Sequence, residues 1–144
     1  MPVNTLPAWT RQGDVSNNGT TGMNQLVTAA ANDYTGAGAN NSLCFTADAT
    51  NGSFVRYIRF KPGGTNVASV ARIFFNNGST QTTAANNQFF DEVSLPATTA
   101  IATSATVAIE VPINLWLNPG FRIYWGLGTA VAAGWVASVI AGKY

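Results

Sequence analysis

Short apolar runs alternate with clusters of Asn, Gly, Pro and Ser, and within each run apolar and polar side chains alternate with a period of two. That period belongs to strands with one buried face, and the clusters supply the turns between them. Strands are predicted over 26–31, 43–47, 54–61, 67–75, 88–95, 106–113, 121–127 and 134–141. No ten-residue segment carries helical spacing. About eight short strands with short links point to an all-β fold, an antiparallel β-sandwich with a jelly-roll-like order; an immunoglobulin-like sandwich is the alternative.

Alternation also assigns faces. In 54–61 (FVRYIRFK) it groups Phe54, Arg56, Ile58 and Phe60 against Val55, Tyr57, Arg59 and Lys61. In 106–113 it aims Val107, Ile109, Val111 and Ile113 one way, with Glu110 and Pro112 opposite. A proline inside that run marks an edge strand or a bulge. In 121–127 Phe121, Ile123, Trp125 and Leu127 point inward, and Arg122 and Tyr124 outward. The strand over 134–141 is nearly all apolar. Asn-Gly pairs at 18, 51 and 77 suit tight turns, because both residues tolerate positive φ. Ahead of this pattern, residues 1–28 read as an extended N-terminal arm or lead-in, with the sandwich over 29–144. Val3, Leu6 and Trp9 give the arm apolar anchors, so it is expected to dock on its own sandwich or on a neighbour.

Composition narrows the chemistry. The chain has 144 residues, with seven cationic and six acidic side chains, 9% in all. An ordinary soluble domain carries about 25%. The net charge of +1 excludes binding of nucleic acid by bulk counterion release. No histidine is present, which excludes a Ser-His-Asp triad, a Cys-His dyad and a His-ligated metal. The single cysteine, Cys44, lies in an apolar run and reads as a small buried hydrophobe. The mean hydropathy is slightly positive, and the polar remainder is mainly Asn, Thr, Gly and Ser. Such a surface has little charge repulsion to keep identical copies apart. The N-terminus shows no basic segment followed by an apolar run, so no secretory signal is expected.

The candidate motifs are weak as chemistry. Gly126-Leu127-Gly128 begins a dinucleotide fingerprint, but Val131 stands where the third glycine belongs. The glycines are expected to serve a strand bend or bulge. Asp91 and Glu92 are adjacent, and on a strand they face opposite ways. Nothing assembles a nucleophile with a base, and no spaced acidic loop matches a calcium motif. The expectation is a non-enzyme with no cofactor and no catalytic or metal site. What remains is adhesion. Arginines on strands are expected to pair with Asp91, Glu92 or Glu110, or with a partner protein's carboxylates. The candidate interface residues are Trp9, Arg56, Tyr57, Arg59, Arg72, Trp116, Arg122, Tyr124 and Trp135.

Three segments resemble small virion proteins of tailed bacteriophages and prophages, of the capsid cement or decoration type. They are KPGGTNVASVARIFFNNGST (61–80), FFDEVSLPATT (89–99) and LNPGFRIYWGLGTAVAAGWVASVIAGKY (117–144). The resemblance implies a jelly-roll or β-tulip fold on the outer surface of the capsid, assembled in the host cytoplasm. It implies the major capsid protein as partner and self-association as a dimer or trimer, without nucleic acid or membrane. Related β modules occur in fibres, which leaves a fibre or receptor- or carbohydrate-binding module as the alternative.

Overall fold

The structure is a computed structural model that describes residues 12–16 and 23–143. Eight strands fill it: β1 (Gln12–Val15), β2 (Ser42–Thr46), β3 (Ser53–Pro62), β4 (Ser69–Asn76), β5 (Asn87–Leu95), β6 (Ile109–Leu117), β7 (Arg122–Leu127) and β8 (Trp135–Lys143). The only helical turn among the described residues is a 3-10 turn at Ala84–Asn86. The strands form two antiparallel four-stranded sheets, ordered β1-β8-β3-β6 and β2-β7-β4-β5. The chain crosses from one sheet to the other at every connection except β4 to β5. Its partners are β1 with β8, β2 with β7, β3 with β6 and β4 with β5, the pattern of one long antiparallel ribbon wound into two layers.

Between the layers lies an apolar core. The first sheet contributes Val55, Ile58, Phe60, Trp135 and Val139, and the second Phe45, Ile73, Ile123, Trp125 and Leu127. Phe60 and Trp125 meet edge to face across the gap, with ring centroids 5.2 Å apart. Each such aromatic removes about 150–250 Å² from water, and at about 25 cal/mol per Å² these contacts dominate the stability. Cys44 is fully buried, and burial pushes its thiol pKa up. Its S–H donates to the Ile123 carbonyl at 3.3 Å.

Tight turns sit where Asn-Gly predicts them. Gly52 (φ 75°) and Gly78 (φ 88°) take the left-handed conformation. The pair at 18 lies outside the described residues. At Gly52 a β-carbon would stand 2.3 Å from the Leu117 carbonyl oxygen, so no other residue fits without movement.

Strict alternation fails in β3, for an identifiable reason. Val55 pairs with Ala141 and Tyr57 with Ile140, so Arg56 is an extra residue. A bulge resets the phase of every side chain beyond it. Val55 is therefore buried in the core, whereas Phe54 lies half-buried on the outer face beside Trp116, contrary to the expected grouping. Opposite the bulge, two β6 residues, Ile113 and Asn114, face Arg56, and Asn114 takes φ 50°. Beyond it Leu115 and Trp116 are exposed, and Val107 is exposed ahead of the strand. The stretch 26–31 makes isolated bridges at Val27 and Ala30 in place of a strand. Part of the lead-in expected over 1–28 docks on the chain's own sandwich. Gln12–Val15 is an edge strand of the sandwich, paired with β8. Asn24, through its side-chain amide, ties Cys44 to Ala137 with two 2.8 Å bonds, linking the sheets at their open side.

The bulge makes a direct prediction. Val55→Asn is expected to cost about 2–4 kcal/mol in urea unfolding, because it buries an amide in the core. Phe54→Asn is expected to cost about 1 kcal/mol or less. Unbroken alternation gives the reverse order.

Candidate functional site

A sandwich has two outer faces, and here they differ. The outer face of the second sheet is covered by the chain's own loop, Asn32 to Asn41. Beneath it Phe74 is fully buried although it points away from the core. Tyr34 packs edge to face on Phe89 at 5.5 Å, and Phe89 contacts Phe74 at 5.6 Å. The Arg72 guanidinium carbon sits 3.8 Å from the Tyr34 ring centroid, and its Nη2 donates to the Tyr34 hydroxyl at 2.9 Å. Its Nε faces Glu92 at 3.4 Å. Gly126 lets this cover approach: a β-carbon there would stand 2.1 Å from the Asn41 side-chain oxygen. The expected bend or bulge is thus a close contact.

Asp33 holds the loop in shape. Its carboxylate accepts from the Thr35 N–H and hydroxyl, the Gly38 N–H and the Asn41 amide, all at 2.8–2.9 Å. Burial raises the pKa of this carboxyl, but the hydrogen bonds, led by Gly38 N–H, outweigh it and bring the value to about 2.

The outer face of the first sheet carries no such loop among the described residues. Register lays its side chains in rows across the strands. One row runs Val15, Ile140, Tyr57, Pro112; a second runs Gly13, Gly142, Phe54, Trp116. A third places Ser138, Arg59 and Glu110 side by side, with Arg59 and Glu110 4.0 Å apart and both half in solvent. Lys61 stands next to Val136, and its ammonium donates to the Thr106 carbonyl. Two adjoining shallow recesses, of about 370 and 300 Å³, share Val136, Ser138 and Ile140. Met23 is 65% exposed at their margin. This is a mixed surface, with aromatic and aliphatic rows flanked by cations.

The four sheet edges are poor templates for strand addition. β1 has only four residues. β2 has an extra residue at Cys44, and β5 at Phe90. β6 carries Pro112 and the bulge at Asn114. Association by this molecule therefore falls to faces and side chains.

Of the nine interface candidates, four share the open face or its margin: Arg56, Tyr57, Arg59 and Trp116. Arg72 is buried under Tyr34, so it clamps the covering loop and does not present a free charge. Arg122 and Tyr124 are half-buried on the second sheet, and Arg122 donates to the Ser79 carbonyl at 3.3 Å. Trp135 is a correction. It is fully buried between the sheets at the start of β8, because inward alternation continues through Ala137 and Val139. Trp9 lies outside the described residues. Sequence reading missed Val15, Met23, Val136 and Ile140 as surface residues, whereas Pro112 faces outward as its place in the alternation predicts. An apolar strand with only one face in the core was the available signal for Val136 and Ile140. The expected ion pairs do form across strands, Arg59 with Glu110 and Arg72 with Glu92.

Compared with protein-family models, curated proteins and solved structures, the chain matches none.

Asp33 sets a pH dependence. Its folded pKa lies below its unfolded value, so its contribution is complete above about pH 4 and is lost as pH falls through about 2. After discounting for solvent screening it amounts to about 1 kcal/mol. Asp33→Asn is expected to lower the Tm at pH 7 by about 3 °C. It is also expected to flatten the fall in stability between pH 4 and 2, as measured by thermal unfolding.

Proposed function

We propose that this chain is a structural adhesive protein, a capsid cement or decoration subunit. On this reading it binds the outer surface of a tailed-phage head and stabilises contacts between major capsid protein subunits. The observation that carries the reading is the open face of the first sheet. Two apolar rows and flanking cations stand on a stiff double layer whose other face is already covered and whose edges resist strand addition. Strong binding to a neighbour needs an apolar centre with a polar rim, and this face has both. The sandwich resists deformation because its core interlocks from both sheets. The ribbon winding of the strands fits the jelly-roll-like order expected from the sequence and in that way supports this reading. Modest contacts, repeated over many copies on one shell, sum to a large reinforcement.

A carbohydrate-binding module on a fibre is the second reading. It draws on Trp116 and Phe54, cross-strand neighbours with Trp116 40% exposed, since aromatic faces stack on sugar rings.

Quantitative mass spectrometry of virions that carry the chain separates the two. The cement reading expects a copy number comparable to that of the major shell subunit. A handful of copies, together with glycan binding that Trp116→Ala abolishes, supports the fibre reading and overturns the first. In free solution Tyr57→Ala with Trp116→Ala is expected to change stability by about 1 kcal/mol or less while reducing shell binding at least about tenfold.

A further inference from the structure

We propose that the chain holds a binding site for a neutral saccharide in a recess at one end of the second sheet, between the β4–β5 connection and the start of β7. The inference goes beyond the shell-binding reading. None of the residues that line this recess belongs to the open face of the first sheet, and none is Phe54 or Trp116.

The side chains around the recess are the first argument. It has a volume of about 210 Å³. Phe75 and Phe121 line it, both half-buried. Phe75 is held in place by Phe90, whose ring centroid lies 4.3 Å away. Beside them stand five amide side chains, Asn76, Asn77, Asn86, Asn87 and Gln88. No lining residue is charged, and the sequence carries no charged side chain over 73–90. Arg122, next in sequence to Phe121, donates to the Ser79 carbonyl. An anion or a cation therefore finds no counter-charge among the lining residues.

The chain itself sets the amides in place. Asn76 Nδ2 donates to Asn87 Oδ1 at 2.8 Å, and Asn76 Oδ1 accepts from the Gly78 N–H at 2.9 Å. Asn77 Oδ1 accepts from the Ser79 N–H at 3.0 Å, and Asn86 Nδ2 donates to the Thr80 carbonyl at 2.9 Å. Asn77 Nδ2 faces Asn86 Oδ1 at 3.3 Å. A primary amide offers two donor hydrogens and two acceptor lone pairs, so Asn77 and Asn86 keep capacity after these bonds. Gln88 is exposed and makes no side-chain hydrogen bond with any described residue. Closing the turn uses Asn76 and Asn77 and gives no role to Gln88.

A saccharide matches this set. A sugar hydroxyl both donates and accepts, as an amide does. The C–H face of a pyranose lies against an aromatic ring, as at Phe75 or Phe121. Pockets for drug-sized ligands span about 300–1,000 Å³, so this smaller recess takes a single sugar unit. Binding of one unit is expected with a Kd of about 1 mM or weaker. A subunit seated on a shell through the open face uses none of these residues.

The test is proton–nitrogen correlation NMR of the full chain, titrated with methyl α-glucoside, methyl α-galactoside and N-acetylglucosamine in turn, up to about 50 mM. At least one sugar is expected to shift the side-chain amide signals of Asn77, Asn86 and Gln88 and to approach saturation. Gln88→Ala is expected to weaken that sugar at least about fivefold, with the rest of the spectrum unchanged, because Gln88 holds nothing else in the fold. No shift with any of the three sugars, or equal binding by Gln88→Ala and the wild type, overturns the inference. So do equal shifts from N-methylacetamide, which mark a recess that reads amides alone. Loss of binding in Trp116→Ala with Gln88→Ala unaffected moves the sugar to the open face and overturns it too. Each of these failures leaves the copy-number test of the cement reading as it stands.

Discussion

Thirteen charged side chains cannot clothe both outer faces of a 144-residue sandwich, and that shortage governs the rest of the structure. An outer sheet face must be solvated by polar side chains, covered by the chain, or covered by something else. The second sheet takes the second route. Phe74 is buried beneath the loop from Asn32 to Asn41, with Arg72 and Tyr34 locking it down. Two of the charges, on Arg72 and Asp33, work inside that clamp, where they find several partners each. The first sheet keeps its apolar rows uncovered by any described loop, and on this contrast between faces rests the proposal that it is the adhesive side.

Bulges complete the design. One extra residue at Arg56 turns Val55 inward and Phe54 outward, which places Phe54 next to Trp116 and Tyr57 next to Pro112. Without that step Phe54 turns to the core and Val55 takes its place on the outer face. Bulges at Cys44, Phe90 and Asn114 blunt the edges as well. Low charge invites association, and blunted edges keep it from becoming open-ended strand addition. What remains is one open face, the surface to which we assign adhesion.

Much of the architecture was legible in the sequence. Period-two alternation located seven of the eight strands, and strand placement set the arginines against Asp91, Glu92 or Glu110, from which register selects Arg59–Glu110 and Arg72–Glu92. Pro112 marked an edge strand, and β6 is one. The remainder was hidden for physical reasons. β1 is short and polar, QGDV, and gains its place only by pairing with β8. A bulge leaves no local signature in FVRYIRFK, because it is set by the partner strands. Burial of Phe74 and Arg72 depends on a loop some forty residues away in sequence. For the same reason the open face could not be read residue by residue: Tyr57, Ile140 and Val15 become neighbours only through register.

The account stands on one surface being covered when the protein is in its assembled state. Hydroxyl-radical footprinting of the free and assembled protein measures this most directly, with Met23, Tyr57 and Trp116 as reporters and Ile101, on an exposed loop, as reference. Protection of the three reporters on assembly, with Ile101 unchanged, is the predicted result. Reporters that stay as reactive in the assembly as in free solution contradict the assignment of this face as the adhesive one.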